Sequence, residues 1–232
     1  MIRWEPSGPY EVVFSTRVGG VSDGPYESLN LGRLTGDEIE RVDENRRRLC
    51  SEVGADFDRL ALNRQIHSSH VHEAEAGSLG RPGDGLWTEE LDLPLVVMTA
   101  DCLPIVLARV NGERPGIAVL HAGWRGLLAG IVAAGVQSLG GRLKAVIGPA
   151  IGPCCYQVGP DVAEPFAAAF GSSVVHGLTL DLWSAAERVL RDAGVDEVER
   201  VDLCTACNPE LFFSHRRTGK PRGVQGVIAR VA

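Results

Sequence analysis

Residues 103–120, LPIVLARVNGERPGIAVL, decide the fold prediction for this chain of 232 residues. Two apolar runs, residues 103–110 and 117–120, flank the segment 111–116, which is rich in turn-forming Asn, Gly and Pro. Apolar runs of strand length on either side of such a segment are typical of a β-hairpin. The pattern therefore predicts two antiparallel strands in the middle of the sequence.

Strand-like and helix-like segments continue outward from this hairpin. Five further runs have the length and apolar content of strands: residues 10–14, 95–98, 145–147, 201–203 and 224–231. Three stretches have apolar residues at helical spacing: residues 37–53, 124–139 and 181–193. Asp181 can cap the last helix and Gly194 can end it. The mixture predicts an α/β (mixed α+β) fold of mixed sheets flanked by helices, in a single layered domain over residues 1–232.

The composition argues against two classes of partner. The formal net charge of −7 is unsuited to a general nucleic-acid surface. No apolar stretch approaches the ~20 residues that a membrane helix needs, and residues 1–6, MIRWEP, lack the apolar core of a signal peptide. We therefore expect a cytoplasmic protein whose six cysteines are thiols or metal ligands instead of disulfides. The oligomeric state stays open.

Two short motifs at the ends of the hairpin strands carry chemistry. Thr99-Ala100-Asp101-Cys102 precedes the first strand, and His121-Ala122-Gly123-Trp124-Arg125-Gly126 ends the second. A thiol and an imidazole placed there can bind a metal ion or act as nucleophile and base. A symmetric turn pairs His121 with Val106 and leaves Cys102 four residues away, about 13 Å along the strand. An asymmetric turn or a bulge would have to shorten that distance.

A catalytic zinc ion with one open position needs a third protein ligand. The candidates lie in residues 65–72, QIHSSHVH, which contain His67, His70 and His72. Alternation along a strand would put His70 and His72 on one face and His67 on the other. The spacing by itself does not choose among these three histidines.

The helix predicted after His121 begins at a glycine-rich turn. Free backbone N–H groups at such a helix start can bind an anion, and Arg125 would be a direct partner for it. A tight turn without any ligand would explain the glycines equally well.

The other cysteines give weaker signals. Cys204 and Cys207 form a single CxxC motif, for which a zinc or dithiol function is a minor alternative because no second CxxC accompanies it. The adjacent Cys154 and Cys155 are expected to be buried thiols more often than ligands.

Five motifs in this order resemble the YfiH/laccase-domain family. They are Gln65-Ile66-His67, Thr99-Ala100-Asp101-Cys102-Leu103-Pro104, residues 121–126 (HAGWRG), residues 148–152 (GPAIG) and residues 212–217 (FFSHRR). The resemblance begins at Phe14-Ser15-Thr16-Arg17 and reaches the C-terminal strand. Its members have been described as multicopper polyphenol oxidases and, more recently, as purine nucleoside phosphorylases with adenosine deaminase side activity.

The resemblance implies that His67, Cys102 and His121 hold one zinc ion, and it thereby selects His67. It implies that Asp101, beside Cys102, supports a ligand or acts as a general acid or base. The positions that match the family pattern, and are implied to lie near the substrate, are Arg17, Asn30, Asp84, Thr88 and Arg216. The chain departs from the pattern at Ser68-Ser69, where the family usually has a glycine, and at His215, which replaces a tyrosine.

Three functions compete at this point. The first is zinc-dependent phosphorolysis of adenosine, inosine or methylthioadenosine, with Arg125 near the phosphate. The second is a cysteine or zinc hydrolase or amidase acting on peptidoglycan precursors, with Cys102 as nucleophile and His121 as base. The third is a copper polyphenol oxidase (laccase), because copper also binds such ligands. Six histidines in the whole chain are few for several copper centres.

Overall fold

The computed structural model describes residues 1–110 and 114–232. The strands are β1 (Ile2–Trp4), β2 (Tyr10–Phe14), β3 (Ala61–Arg64), β4 (Val71–Glu73), β5 (Leu79–Pro82), β6 (Gly85–Thr88), β7 (Leu95–Thr99), β8 (Leu103–Arg109), β9 (Ile117–Ala122), β10 (Leu143–Ile147), β11 (Val175–His176), β12 (Thr179–Leu180), β13 (Glu197–Arg200) and β14 (Gln225–Val231). The helices are α1 (Ile39–Glu52), α2 (Trp124–Leu128), α3 (Ile131–Leu139), α4 (Pro160–Phe170), α5 (Leu182–Asp192) and α6 (His215–Thr218). Short 3-10 helices lie at Gly24–Tyr26, Phe57–Arg59 and Ser172–Val174.

Most of the strands belong to two mixed six-stranded sheets. The first has the order β1-β2-β14-β7-β3-β5, and the second has the order β13-β10-β8-β9-β6-β4. Strand β3 runs parallel to β5 and β7, whereas β14 is antiparallel to both of its neighbours. In the second sheet, β8 is antiparallel to β9 and β10, and the edge pairs β4–β6 and β10–β13 are parallel. Strands β11 and β12 form a separate small hairpin.

The two sheets pack face to face, and helices cover their outer faces. Phe14 and Val97 of the first sheet share a buried cluster with Val106 and Val119 of the second. On the outer face of the first sheet, Leu49 of α1 packs in a cluster with strand residues of β2, β3, β7 and β14. Helices α3, α4 and α5 cover the other sheet in the same way. The chain therefore has the predicted mixed α/β architecture, in layers that each bury an apolar face.

Local sequence signals explain most of the boundaries. The side chain of Asp181 accepts a hydrogen bond from the Ser184 amide at 3.0 Å, which caps α5 as predicted. The single helix predicted over residues 124–139 is wrong, because Gly130 adopts φ +88° and divides it into α2 and α3. The strand predicted at residues 201–203 is also wrong: the edge strand β13 ends at Arg200. No helix in the two described ranges has the length and apolar character needed to cross a membrane.

The central hairpin forms with an asymmetric register. Strand β8 pairs Pro104 with His121, and the Arg109 amide donates to the Gly116 carbonyl at 2.9 Å. Relative to the symmetric prediction, which paired Val106 with His121, the strands are displaced by two residues. Cys102 therefore directly precedes Leu103, which pairs with Ala122. The predicted separation of about 13 Å between Cys102 and the residue paired with His121 is wrong. Residues 111–113 of the predicted loop lie outside the described residues.

Candidate metal and substrate site

Three separate segments bring the metal-donor side chains together at one end of the hairpin. His67 lies in the loop after β3, Cys102 directly precedes β8, and His121 is the fifth residue of β9. One donor atom from each residue lies within 4.8 Å of the other two. The Cys102 Sγ is 3.8 Å from the His67 Nε2, and the two imidazole rings meet edge to face at 4.9 Å. The structure thus assembles the three side chains that the resemblance implies as ligands.

The loop after β3 turns around a buried carboxylate. Asp84 accepts hydrogen bonds from the amides of residues 66, 67 and 68 at 2.6–3.2 Å, and from the Ser68 hydroxyl at 2.8 Å. His67 itself has φ +60°, a left-handed conformation that is uncommon outside glycine. Because this segment is a turn, strand alternation does not apply to it. The ring centres of His70 and His72 are 6.4 Å apart, and neither ring belongs to the three-donor cluster.

Asp84 also orients His121. Its Oδ1 lies 2.8 Å from the Nδ1 of His121, which leaves the Nε2 of that ring as the donor toward the cluster. The Asp84 side chain is fully buried. It therefore lies behind His67 and His121, and its predicted place near the substrate stays a prediction. Carboxylate–histidine pairs of this kind fix the tautomer and direction of a metal-binding imidazole.

The electrostatics of the cluster favour a thiolate. Burial raises the pKa of the Cys102 thiol, but the neighbouring His121 and His67 outweigh it and lower that pKa to about 6. Burial lowers the pKa of His121, whereas Cys102 and Asp84 raise it to about 9. Burial likewise raises the pKa of Asp84, but hydrogen bonds from His121 and Ser68 bring it well below its usual range. The group pairs a nucleophilic sulfur with two imidazoles.

The donor set fits one zinc-type ion. With ligand distances of 2.0–2.3 Å, tetrahedral zinc places nitrogen and sulfur donors about 3.5 Å apart. The 3.8 Å between the Cys102 and His67 donors is close to that spacing. A Cβ on Gly123 would lie 2.9 Å from the His67 ring and 3.0 Å from the Cys102 Sγ, so a larger residue at this position would displace a donor side chain. Three protein donors leave one position for a substrate group, as in catalytic zinc sites.

A cavity of about 530 Å³ opens beside the donors. His67, Cys102 and His121 form part of its wall. Its described lining includes five cationic side chains and no carboxylate: Arg33, Arg46, Arg64, Lys220 and Arg222. Apolar groups, among them Leu62 and Met98, make up much of the remaining wall. The cavity combines a positive potential with apolar surface, which suits an anion together with a flat organic molecule.

None of the five cavity cations is among the predicted site residues, and Arg222 is the one whose surroundings point most directly to a ligand. Its Nε is buried and has no hydrogen-bond partner among the described residues. Burial lowers the pKa of Arg222, and the negative Asp101 and Cys102 partly offset this effect. Its only sequence signal is the basic segment Lys220-Pro221-Arg222 before the last strand, and a solvated turn would look the same. A buried donor without a partner is costly unless a ligand accepts from it.

Asp101 and Arg216 are joined by a hydrogen bond directly before Cys102 in the chain. The Asp101 carboxylate accepts from the Thr205 hydroxyl at 2.6 Å and from the backbone amide of Arg216 at 2.7 Å. Asp101 has φ +93°, so these bonds hold a strained backbone next to Cys102. The Arg216 guanidinium lies 5.1 Å from the centre of the Tyr156 ring. Asp101 therefore connects the Cys102 turn to the CxxC turn and to the start of α6, and its role as acid or base stays a prediction.

The other predicted substrate residues lie outside the described cavity lining. Arg17 donates to the carbonyls of Glu27 and Pro209. Arg125 is exposed, and its guanidinium carbon lies 4.2 Å from the centre of the Trp124 ring. Thr88 is buried at the C-terminal end of β6. It lies three residues after Gly85, the first residue of that strand, and this corresponds to about 10 Å along the strand.

Asn30 supports the cavity from behind. It is fully buried, and its Oδ1 accepts from the amides of Gly32 and Val224, both of which line the cavity. Its Nδ2 donates to the Thr35 hydroxyl at 2.8 Å. Asn30 therefore fixes the position of the wall without reaching the space inside.

Comparison with known proteins gives consistent results. The family described as multi-copper polyphenol oxidoreductase laccase matches residues 11–231, and the chain belongs to this family. A Pseudomonas aeruginosa protein named purine nucleoside phosphorylase is 36% identical over 228 residues, covering 94% of this chain and 92% of its own. The Escherichia coli K12 protein named purine nucleoside phosphorylase YfiH is 36% identical over 225 residues, covering 93% and 91%.

Solved structures show the same fold. A Neisseria meningitidis protein superposes with a TM-score of 0.90 at 31% identity, covering 99% of this chain and 98% of its own. A Bacillus licheniformis protein titled hypothetical protein YfiH superposes with a TM-score of 0.89 at 29% identity, covering 96% and 93%. The predicted resemblance to the YfiH/laccase-domain family is confirmed.

Proposed function

We propose that this chain is a zinc-dependent purine nucleoside phosphorylase acting on adenosine, inosine or methylthioadenosine, with adenosine deaminase side activity. In phosphorolysis, a phosphate oxygen forms a bond to the ribose C1′ while the bond from C1′ to the purine nitrogen breaks. The base leaves with the electron pair and takes up a proton, and the sugar becomes ribose 1-phosphate. The observation that carries the proposal is the cationic cavity beside the three metal donors.

The cationic side chains supply what a phosphate nucleophile needs. Phosphate binds between cationic groups and N–H donors, and guanidinium groups bind it in a bidentate way. Arg222 offers a buried donor, and Arg46 is 95% buried, with its Nε already bound to the Leu31 carbonyl at 2.8 Å. Since the described lining holds no carboxylate, the cavity favours an anion over a cation.

The three donors would hold the metal ion. A zinc ion bound by His67, Cys102 and His121 supplies a Lewis acid next to the cavity. Asp84 keeps His121 in the tautomer that presents Nε2, and the glycine at position 123 leaves the donors close together. The apolar groups of Leu62, Leu79 and Met98 would accept the flat face of the purine.

The test is product identification with adenosine in the presence and absence of phosphate. We expect adenine and ribose 1-phosphate when phosphate is present, and a small amount of inosine with ammonia in either case. His121→Ala should reduce both activities to background because it removes one donor of three. The control is His176→Ala, an exposed histidine on the β11–β12 hairpin, which should be fully active.

Three results would contradict the proposal. Full phosphorolysis by His121→Ala with zinc still bound would exclude the assigned ligand role. Activity that survives a strong chelator would favour a metal-free hydrolase using Cys102 and His121. Stoichiometric copper with phenol turnover, in protein purified without added copper, would favour the polyphenol oxidase alternative.

A further inference from the structure

A second group of sulfur atoms lies apart from the three-donor site. Cys154, Cys155, Cys204 and Cys207, the four-cysteine cluster, have Sγ atoms that all lie within 4.8 Å of one another. The Cys207 Sγ is 3.6 Å from the Cys154 Sγ and 3.3 Å from the Cys155 Sγ. All four are free thiols. Cys154 is exposed and Cys155 half-buried, so the expectation of two buried thiols at these positions is wrong.

Backbone pairing joins two segments that are about fifty residues apart in the chain. Ala150 and Cys204 form a parallel bridge, in which the Ala150 amide donates to the Leu203 carbonyl and the Thr205 amide donates to the Ala150 carbonyl. The segment after β10 then turns at residues 152–156 and presents the adjacent cysteines, while the CxxC turn presents the other two. The cluster is therefore built by hydrogen-bonded backbone and not by chance contact of exposed side chains.

The sulfur of Cys204 accepts a backbone hydrogen bond. The Gly152 amide donates to it at 3.3 Å. A neutral thiol is a weak acceptor, whereas a thiolate accepts an N–H bond well. Cys204 is 94% buried, so a thiolate at this position needs a partner of opposite charge.

We propose that the four-cysteine cluster binds one zinc ion in a closed, structural site. With zinc–sulfur bonds of 2.3 Å, tetrahedral geometry puts the sulfurs about 3.8 Å apart. The observed distances of 3.3 Å, 3.6 Å and at most 4.8 Å lie around that value. Four thiolates complete the coordination shell and leave no position for a substrate. A soft, all-sulfur donor set selects zinc over magnesium, calcium or manganese.

The proposed ion would stabilise one wall next to Cys102. Between the two cysteines of the CxxC turn, Thr205 donates to the Asp101 carboxylate at 2.6 Å. Arg217 donates to the carbonyls of Thr205 and Ala206, which places a positive charge near the thiolates. Directly after Cys155, Tyr156 lies under the Arg216 guanidinium. The ion would thus hold the CxxC turn, which contacts Asp101, and the turn at residues 152–156, which contacts Arg216 through Tyr156, without taking part in chemistry.

The test counts metal ions, so its outcome does not depend on the proposed phosphorylase activity. Protein prepared under reducing conditions should contain two zinc ions per chain. His121→Ala should keep the ion of the four-cysteine cluster, and Cys207→Ser or Cys204→Ser/Cys207→Ser should keep the other one. The matched control is Cys50→Ser, a buried thiol of α1 outside both sites, which should keep two.

A spectroscopic measurement covers the case in which the serine variants fail to fold. Wild-type protein loaded with Co²⁺ in place of zinc should show the intense sulfur-to-cobalt charge transfer of a four-thiolate site, and His121→Ala should retain it. A single zinc ion in the wild type, bound at the three-donor site, would overturn the proposal. So would two fewer reactive thiols with a mass lower by two hydrogens, which indicates a disulfide, or the colour and iron content of an iron–sulfur cluster.

Discussion

The three-donor site and the four-cysteine cluster are linked through the Asp101–Cys102 turn, and their donor sets differ. Cys102 belongs to the first group, and Asp101 accepts from Thr205 of the CxxC turn in the second. The first has two imidazoles and one sulfur, open to a cavity with five cationic residues. The second has four sulfurs and no imidazole. Incomplete coordination next to a ligand-sized space is typical of a catalytic metal ion, and complete thiolate coordination is typical of a structural one. The two donor sets therefore favour a catalytic role for the three-donor site and a structural role for the four-cysteine cluster.

Metal removal gives the largest expected difference between the two groups. We expect a chelator to take the ion from the three-donor site first, because only three side chains hold it and one coordination position is open to the cavity. Activity should fall to background while the melting temperature changes little. Loss of the second ion should then lower the melting temperature by about 10 °C, since binding at a structural site adds directly to folding free energy. Zinc content and calorimetry, followed in parallel, measure both steps.

The opposite pairing of effects would reverse the assignment. If removal of the ion at the three-donor site leaves activity intact and lowers the melting temperature, that site is the structural one.

Asp84→Asn tests the support of the three-donor site. An amide cannot accept at both positions, so it leaves backbone N–H groups of residues 66–68 without a partner and weakens the contact to His121. We expect zinc affinity at this site to fall about 10- to 100-fold, with the four-cysteine ion unaffected. The control is Asp181→Asn, because asparagine also caps a helix well and α5 is remote from the site. Equal zinc affinity in Asp84→Asn and wild type would contradict the positioning role.

Gly123→Ala tests whether the close contact of residue 123 with His67 and Cys102 sets the geometry of the three-donor site. Gly123 has φ −77°, so alanine adds no backbone strain, and the effect comes from the clash with His67 and Cys102. We expect zinc affinity to fall about tenfold, consistent with the ~1–3 kcal/mol of overpacking. Gly159→Ala is the matched control: it has φ −79° at a helix start, and its Cβ would meet only the Asp161 side chain. Titration of metal-free protein with zinc gives the two affinities.

Arg222→Ala tests the cationic cavity and should leave both metal ions in place. Loss of a charged donor to phosphate should raise the KM for phosphate about tenfold, with both ions retained. Arg222→Lys should recover part of this loss through its charge, although lysine lacks the planar fork of donors. Arg191→Ala, an exposed arginine of α5 paired with Glu187, serves as the control. An unchanged KM for phosphate in Arg222→Ala would place the phosphate elsewhere, with Arg125 as the next candidate.

The sequence by itself determined the features that depend on local chemistry: single strands and helices, their ends, and the donor residues at the ends of the hairpin strands. Apolar strand runs on either side of a turn predicted the central hairpin, and Asp181 with Gly194 predicted the ends of α5. The position of a thiol and an imidazole at the strand ends indicated Cys102 and His121, and the family resemblance added His67. Periodicity and capping act within a few residues, so they can be recognised in one sequence.

The tertiary structure alone decided how distant segments meet. A two-residue displacement of the hairpin register placed Cys102 beside His121, and the Asp84 carboxylate turned residues 66–68 so that His67 faces both. The bridge between Ala150 and Cys204 made one cluster from cysteines that are separately weak signals. Sheet order and the burial of a carboxylate bring these groups together. Both depend on packing across the whole core, which no short stretch of sequence encodes.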